Sequence, residues 1–330
     1  MTNKRIAIIG GAGFLGTRLS KRFKKKNIIH NNYDIDLSNK ENNSIYCDVE
    51  NVDSLTKFKG VDVIINLAAV HRDDVRPLSR YDDINVQGAK NVCEAASKHD
   101  VNKIIFTSSV AIYGFATDDT DESGEPDYFN DYGRTKYLAE QVYKAWQSED
   151  PKNRTLVIVR PTVIFGEGNR GNVYNLLRQI ASRRFLMFGD GTNRKSMAYV
   201  ENVAAFIEYS LAFKPDLHIY NYIDKPDFDM NTLISGTRKI LFGKDDVGLR
   251  LPSFIGIAIG YFADLVAIIF RRRLPVSNIR VKKFMATTQF ASSVSNTGFV
   301  PPLTLEEGLA RTIRYEFMED NSDKITFETE

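Results

Sequence analysis

The first half of the chain alternates short apolar runs with amphipathic stretches. Residues 6–9 and 61–67 are nearly continuous apolar runs, a pattern typical of strands that are buried on both faces of a sheet. Residues 85–99 instead carry apolar side chains at helical spacing. Repeated alternation of this kind predicts an α/β fold built on a doubly wound parallel sheet.

The pattern places further elements along the chain. Strands are predicted to end near Tyr33-Asp34 and to cover 44–47, 103–107, 155–159, 186–188 and 218–223, the run at 155–159 being ended by Arg160-Pro161. Helices are predicted at 132–146, 173–182, 201–213, 232–241 and 305–317. The last helix has Thr304 and Glu307 at capping-box spacing, and the acidic segment after Met318 is expected to be poorly ordered.

Composition bounds the class of protein. The chain has 330 residues, of which 43% are hydrophobic, so it can bury one large core or two adjoining ones. We predict a dinucleotide-binding domain over 1–165, to which residues 195–213 return, and a mainly substrate-binding domain over 166–330. A net charge of +2 excludes a general binder of nucleic acids, and the basic run 18–26 is interpreted as a solvated helix face.

Only two cysteines occur, Cys47 and Cys93, and no cluster has metal-ligand spacing, so no metal site is predicted. Together with the absence of a signal peptide, this favours a cytoplasmic protein. Residues 254–270 are mostly apolar but contain Asp264, and Arg271 follows. This stretch is interpreted as a buried or amphipathic helix and not as a membrane span, with peripheral membrane contact as the alternative.

Four glycines follow the first apolar run, at Gly10, Gly11, Gly13 and Gly16, and a helical pattern begins directly after them. A strand, a glycine turn and a helix N-terminus form the arrangement that binds a dinucleotide pyrophosphate. Both GxxGxxG and GxGxxG spacings fit, and a glycine-rich hairpin turn is the alternative.

Asp34 stands at the predicted end of the second strand, where a carboxylate can accept both hydroxyls of an adenosine ribose. A carboxylate there would repel a 2′-phosphate, which favours NAD over NADP. Asp36 is an alternative for the same role, and either residue can instead be a solvated loop acid.

Hydroxyl side chains close the strand at 103–107, with Ser108 and Ser109 directly after it. Tyr132 and Lys136 have i, i+4 spacing on a predicted helix and therefore share one face. An ammonium and a positively charged nicotinamide both stabilise a phenolate, so Tyr132 is a candidate general acid and base. Taken alone, such a pair is more often a surface feature.

Further motifs follow one another in a fixed order. They are the glycine loop, Cys47-Asp48-Val49, Asn66-Leu67-Ala68-Ala69, Asn85-Val86-Gln87-Gly88, Ser108-Ser109 with Tyr113-Gly114, Tyr132 to Lys136, Arg160-Pro161-Thr162, Gly189-Asp190-Gly191, Tyr199 to Val203 and Gly298 to Pro301. In these motifs the chain resembles the extended short-chain dehydrogenase/reductase superfamily, in its NAD-dependent epimerase/dehydratase family. The resemblance implies a Rossmann-type sheet with a smaller α/β substrate-binding C-terminal domain.

The resemblance also implies roles for individual residues. Ser109, Tyr132 and Lys136 would be catalytic: Tyr132 would exchange a proton with a sugar hydroxyl, Ser109 would hydrogen-bond that oxygen, and Lys136 would bind the nicotinamide ribose and lower the pKa of Tyr132. The implied NAD-binding residues are Gly10, Gly13, Phe14, Leu15, Gly16, Asp34, Asp48, Val49, Leu67, Ala68, Ala69, Tyr132, Lys136 and Pro161.

One departure from related enzymes narrows the reaction. Members that eliminate water or decarboxylate carry an acid just after the catalytic serine or threonine, whereas this chain has Val110-Ala111. Apolar side chains cannot transfer protons. The hypothesis is therefore an NAD-dependent nucleotide-sugar epimerase, acting at C4 of a UDP-hexose or related sugar in polysaccharide biosynthesis. The alternatives are a net dehydrogenase or ketoreductase of a sugar nucleotide or sterol-type alcohol, and a non-catalytic NAD-binding scaffold.

Candidate contacts to the nucleotide-diphosphate sugar carry less specific signals. They are Asn172, Lys195, Arg194, Arg280 and His71. Each has a structural alternative: a helix cap for Asn172, a solvated charge for the basic residues, and a structural role for His71. By resemblance, the helices at 85–99 and 132–146 are expected to form a homodimer interface.

Overall fold

The computed structural model describes residues 4–72, 74–114, 119–258, 261 and 285–329. The strands are β1 (Ile6–Ile9), β2 (His30–Asp34), β3 (Ile45–Tyr46), β4 (Val63–Asn66), β5 (Lys103–Thr107), β6 (Thr155–Pro161), β7 (Val163–Phe165), β8 (Met187–Phe188), β9 (Arg194–Lys195), β10 (Met197–Tyr199), β11 (Asp216–Tyr222), β12 (Phe228–Asp229) and β13 (Arg250–Leu251). The helices are α1 (Phe14–Lys25), α2 (Ser79–Tyr81), α3 (Gly88–Lys98), α4 (Asp131–Ser148), α5 (Asn172–Ala181), α6 (Val200–Ser210), α7 (Met230–Phe242) and α8 (Leu305–Phe317).

Seven strands form one parallel sheet in the order β11-β6-β5-β4-β1-β2-β3. The strand order reverses at β1, which pairs with β2 on one side and with β4 on the other. In such a sheet the crevice beyond the carboxyl ends at the reversal point is where ligands bind. The predicted class, an α/β fold with a doubly wound parallel sheet, is confirmed.

Alternate residues of each strand enter two separate cores. Ile6 and Ile8 belong to a core on the face covered by α1 and α6, while Ala7 and Ile9 belong to a core with side chains of α3 and α4. All four residues are almost completely buried. This two-sided burial explains why the strands appear in the sequence as continuous apolar runs.

The predicted end of the strand at 155–159 is wrong. β6 does not end before Arg160 but continues through Pro161, because β11 pairs beside it as far as Tyr222. Proline is tolerated there as the last residue of the strand.

The helix predicted at 85–99 begins earlier, at Ser79, and a π-helical turn over Asp82–Gln87 joins α2 to α3. Asn85 lies in that turn. Its side chain is buried and hydrogen-bonded to Val70 and Thr135. A buried polar side chain at this position interrupts the apolar periodicity, so the true start of the helix is not visible in the sequence.

Apart from β11, the strands after β6 form two-stranded sheets. They pair β7 with β10, β9 with β12 and β8 with β13. The α8 helix begins as predicted, with a capping box between Thr304 and Glu307. The expectation of poor order after Met318 is wrong for the described part of that segment. Phe327 donates a backbone hydrogen bond to Gly168 O at 2.8 Å and packs against Phe14. The division into two domains stays a prediction.

Most of the apolar stretch 254–270 lies outside the described residues. Residues 253–258 are helical, and Phe254 and Tyr261 are exposed. Within the part of the chain that the structure describes, no helix combines the length and apolar character that crossing a bilayer requires.

Candidate active site

The glycine loop turns tightly between β1 and α1. Gly10 has φ +78°, and a Cβ there would lie 2.8 Å from Ala68 N, so only glycine fits. A Cβ at Gly16 would lie 2.3 Å from Gly10 O, and one at Gly11 would lie 2.6 Å from Cβ of Asn32. The structure therefore uses the glycines of both candidate spacings: Gly10 turns the chain, and Gly11 and Gly16 allow close packing.

Gly13 differs from the other three glycines because it faces outward. It is exposed, and the nearest atom to an added Cβ is Gly10 O at 3.3 Å. It is also the N-cap of α1, where no side chain caps the helix and no acidic residue lies in the first turn. A helix N-terminus with free N–H groups and an open approach favours a bound phosphate group.

Asp34 lies at the end of β2, beside the glycine loop. Its carboxylate accepts hydrogen bonds from Ala12 N at 2.8 Å and from Asp36 N at 3.0 Å. Burial raises the pKa of Asp34. Asp36 is exposed and accepts a hydrogen bond from Ser38 N within its own turn. Of the two candidates, the geometry places Asp34 at the loop and turns Asp36 away from it.

The other predicted cofactor contacts lie at neighbouring strand ends. Leu67 N donates to Ile9 O at 2.9 Å, which places the segment after β4 against the end of β1. Asp48 follows β3, and Val49 is buried against Gly88 at the start of α3. These strand ends share one edge of the sheet. Leu67, Ala68 and Ala69 are half-buried there, and Phe14, Leu15 and Pro161 are buried.

Ser109 and Ser108 differ in the hydrogen bonds that their hydroxyls make. The Oγ of Ser109 accepts from Ala111 N at 3.1 Å, as the N-cap of a 3₁₀ turn over Val110–Tyr113. The side chain of Ser109 also lies close enough to Tyr132 to lower the pKa of its phenol. Ser108 is buried, and its hydroxyl has no hydrogen-bond partner among the residues that are described. The geometry therefore supports the choice of Ser109.

Local packing fixes Tyr132 as the second residue of α4. Asn130 caps the helix by accepting from Gly133 N at 2.9 Å. A Cβ at Gly133 would lie 2.4 Å from Ala111 O, so the helix start can approach the Ser109 turn only because this residue is glycine. Burial raises the pKa of Tyr132, and the nearby Ser109 side chain opposes that rise. Burial, and not the expected charge of Lys136, therefore dominates the pKa of Tyr132.

Lys136 is buried one turn further along α4, with its Nζ 4.4 Å from the centre of the Phe106 ring. Burial lowers its pKa to about 7, and the charge of Glu140 opposes that shift. Desolvation of the imidazole and, to a smaller degree, the charge of Lys136 lower the pKa of His71. The residue as a whole is exposed, so this desolvation is only partial.

One turn after Lys136, α4 carries a buried ion pair that the sequence did not predict. Glu140 is fully buried and binds Arg160 through two hydrogen bonds, Nε–Oε1 at 2.8 Å and Nη2–Oε2 at 2.6 Å. Arg160 also donates to the Tyr113 hydroxyl at 2.6 Å. The i, i+4 spacing of Lys136 and Glu140 was an available signal, but the pairing with Arg160 depends on how β6 lies against α4.

The predicted substrate contacts other than His71 lie in the part of the chain after Pro161. Asn172 is the exposed first residue of α5, and Arg194 is exposed in β9. Lys195 is half-buried, donates to Thr288 Oγ1 at 3.1 Å and to Ala286 O, and has its pKa lowered to about 8 by burial. Arg280 lies outside the described residues.

Comparison with known proteins gives a family match. The family model named NAD dependent epimerase/dehydratase family matches residues 6–222. The chain belongs to this family. It is 44% identical to the N-acetyl-alpha-D-glucosaminyl-diphospho-ditrans,octacis-undecaprenol 4-epimerase of Escherichia coli O157:H7, over 99% of this chain and 100% of that protein.

The chain is also similar to more distant proteins. The chain is 27% identical to a decarboxylating sterol-4-alpha-carboxylate 3-dehydrogenase of Candida albicans, over 93% of this chain and 96% of that one. Among solved structures, the Thermus thermophilus UDP-glucose 4-epimerase in complex with NAD superposes with a TM-score of 0.72 at 17% identity. That superposition covers 96% of this chain and 99% of the other, and it confirms the shared fold.

Family membership and the site together confirm the predicted enzyme class, an NAD-dependent epimerase of the extended short-chain type. NAD is its cofactor. The residues present fit a dinucleotide, because the outward-facing Gly13 and the uncapped α1 N-terminus leave room and free N–H groups for phosphate. A ribose would meet the carboxylate of Asp34.

Proposed function

We propose that this epimerase inverts C4 of an N-acetylhexosamine that is joined through a diphosphate to a carrier. The observation that supports it most directly is the placement of Ser109 beside Tyr132, with Lys136 on the same helix as Tyr132, at the edge of the sheet that the glycine loop shares. This arrangement supplies a proton acceptor and a hydroxyl donor for one sugar oxygen.

Each side chain has a defined task in the proposed reaction. Tyr132, as phenolate, takes the proton of the sugar hydroxyl and later returns it, so protons balance over the cycle. Ser109 donates a hydrogen bond to the same oxygen, and Lys136 stabilises the phenolate by its positive charge. Bound NAD would supply reversible hydride transfer at the sugar carbon.

The segment after Ser109 favours epimerisation over elimination. Val110 and Ala111 form the 3₁₀ turn next to the pair and carry no group that could transfer a second proton. A second proton donor is what dehydration or decarboxylation would need at this place. We therefore propose that the sugar keeps all its oxygen atoms.

We propose a polyprenol as the carrier, on the strength of the Escherichia coli relative named above. The apolar run 254–270, followed by arginines at 271–273, is a sequence in keeping with a lipid-bearing substrate at a membrane surface. A nucleotide carrier is the second candidate, favoured by the UDP-sugar epimerases of similar fold.

A matched pair of substrates distinguishes the two carriers. The purified protein is incubated with polyprenyl-diphospho-N-acetylglucosamine in detergent or with UDP-N-acetylglucosamine, and the released sugars are separated by chromatography. We expect the lipid-linked sugar to reach an equilibrium mixture of the two C4 epimers, with no net absorbance change at 340 nm. The Tyr132→Phe variant should convert nothing, whereas Tyr128→Phe, at an exposed position, should match the wild type.

Two results would contradict parts of this proposal. Conversion of the UDP-sugar alone would assign a nucleotide carrier. Stoichiometric reduction of added NAD by a sterol-type alcohol, without epimerisation of either sugar, would assign a net dehydrogenase.

We also propose a cytoplasmic homodimer that pairs the α2–α3 and α4 helices of two copies, and a two-domain organisation divided near residue 165. The dimer is supported by family resemblance, and sedimentation equilibrium tests it. A mass of one chain, 37.4 kDa, across micromolar concentrations would contradict it.

A further inference from the structure

Residues 325–329, called the strap here, lie against the loop 166–171 that precedes α5. Phe327 N donates to Gly168 O at 2.8 Å, and Arg170 N donates to Phe327 O at 2.9 Å, which makes a one-residue parallel bridge. Thr329 adds a hydrogen bond from its hydroxyl to Asn169 Oδ1 at 3.2 Å. The strap is thus held at two of its five residues.

The loop beneath the strap is itself anchored by a buried carboxylate. Glu316 of α8 accepts from Gly168 N at 2.6 Å and from Arg170 Nη1 at 2.7 Å, and its side chain is 3% exposed. Asn169 is also buried and accepts from Gly171 N at 2.7 Å. The strap therefore packs on a loop that buried hydrogen bonds hold in place.

The ring of Phe327 points to the cofactor edge. Its centroid lies 5.6 Å from that of Phe14, which is the first residue of α1 and directly follows the outward-facing Gly13. Arg18, one turn along, lies with its Cζ 6.0 Å from the centre of the same Phe14 ring. Phe327 thus braces the helix N-terminus that is open to phosphate.

We propose that the strap is a cofactor-retaining element, in which Phe327 is a positioning residue for the N-terminus of α1. An epimerase needs the same dinucleotide molecule for both halves of its cycle, so slow release of NAD protects the cycle. The inference rests on NAD as the cofactor and is independent of the sugar and its carrier.

The test measures the dissociation rate constant of NAD in the absence of any sugar. The full-length protein is loaded with NAD, diluted into an excess of a fluorescent NAD analogue, and followed by fluorescence. An aromatic contact of this kind contributes ~0.5–1.5 kcal/mol, so we expect Phe327→Ala to release NAD ~3–10-fold faster. Phe327→Tyr, which keeps the ring, should release it at the wild-type rate.

A control in the strap itself separates retention from general loosening. Ile325→Ala changes an exposed side chain of the same segment and should leave the release rate unchanged. The Tm of the NAD-free protein should be similar for Ile325→Ala and Phe327→Ala, because a merely structural ring would lower the Tm without a selective effect on release.

Two results would overturn the proposal. One is unchanged NAD release in Phe327→Ala, and the other is faster release that Ile325→Ala matches. Because no sugar is present, none of these outcomes depends on the proposed epimerisation.

Discussion

The cofactor edge of the large sheet and the small sheets after Pro161 hold their functional side chains in different ways. At the cofactor edge, Gly10, Asp34 and Ser109 each lie within two residues of a strand end. In the small sheets, Lys195 is held by hydrogen bonds to residues 286 and 288, more than ninety positions away along the chain. Local sequence therefore positions the functional side chains at the cofactor edge, whereas contacts between distant segments position Lys195.

The two regions also differ in how far their ion pairs are exposed to solvent. Glu140 and Arg160 form a buried pair behind the cofactor edge, with side chains 0% and 5% exposed. Lys239 and Asp245, in the other region, form a pair whose side chains are 65% and 63% exposed. Buried pairs are costly to break, whereas exposed pairs contribute little.

The largest expected effect is therefore on stability at the buried pair. Glu140→Ala leaves Arg160 buried without its carboxylate and should lower the free energy of unfolding by ~3–5 kcal/mol in urea titrations. Asp245→Ala should cost less than ~1 kcal/mol. The double variant Glu140→Leu/Arg160→Met should recover most of the loss. If it is as unstable as Glu140→Ala, the pair is not the cause.

The next effect separates two adjacent hydroxyls. Ser109→Ala removes the hydroxyl that lies beside Tyr132 and should lower kcat by ~10²–10³-fold in the epimerase assay. Ser108→Ala removes a buried hydroxyl with no partner among the described residues, so kcat and stability should change little. Equal losses in the two variants would refute the assignment of Ser109.

The buried ammonium gives a prediction about pH. Because burial lowers the pKa of Lys136 to about 7, the folded protein loses this proton at lower pH than the unfolded chain, and stability from this group rises with pH above 7. Lys136→Met should therefore abolish activity yet stabilise the NAD-free protein at pH 6. That advantage should shrink by ~2–3 kcal/mol at pH 9.

Urea unfolding of both proteins at the two pH values checks this. Lys144→Met, on the same helix and partly exposed, serves as the control, and its effect should not change with pH in this way. A pH-independent difference for Lys136→Met would show that the ammonium is not desolvated.

The smallest effect is expected in the small sheets. If the proposed diphosphate contact holds, Lys195→Met should raise KM by ~10-fold with little change in kcat, because a remote charge contributes to ground-state and transition-state binding alike. Arg194→Met, at the exposed neighbour, should change KM less. A fall in kcat with unchanged KM would place Lys195 nearer to the chemistry than the described contacts do.

The fold of the first half was predictable because its strands are buried on both faces and are separated by amphipathic helices. The strand over Lys103–Thr107 and the helix over Leu305–Phe317 have the predicted ends, since sharp changes in polarity and a capping box mark them. The start of the helix before Gly88 was missed, because the buried Asn85 interrupts the apolar pattern.

The sequence alone predicted the glycine loop, Asp34 and the i, i+4 pair Tyr132 and Lys136, since each stands at a fixed distance from the end of its own element, and the family resemblance added Ser109. Tertiary structure decided the rest. It turned Asp36 away from the loop, left Ser108 without a partner among the described residues, buried Glu140 against Arg160 and brought Phe327 onto Phe14. These contacts join segments far apart in the chain, and no local periodicity or spacing specifies which distant segments will meet.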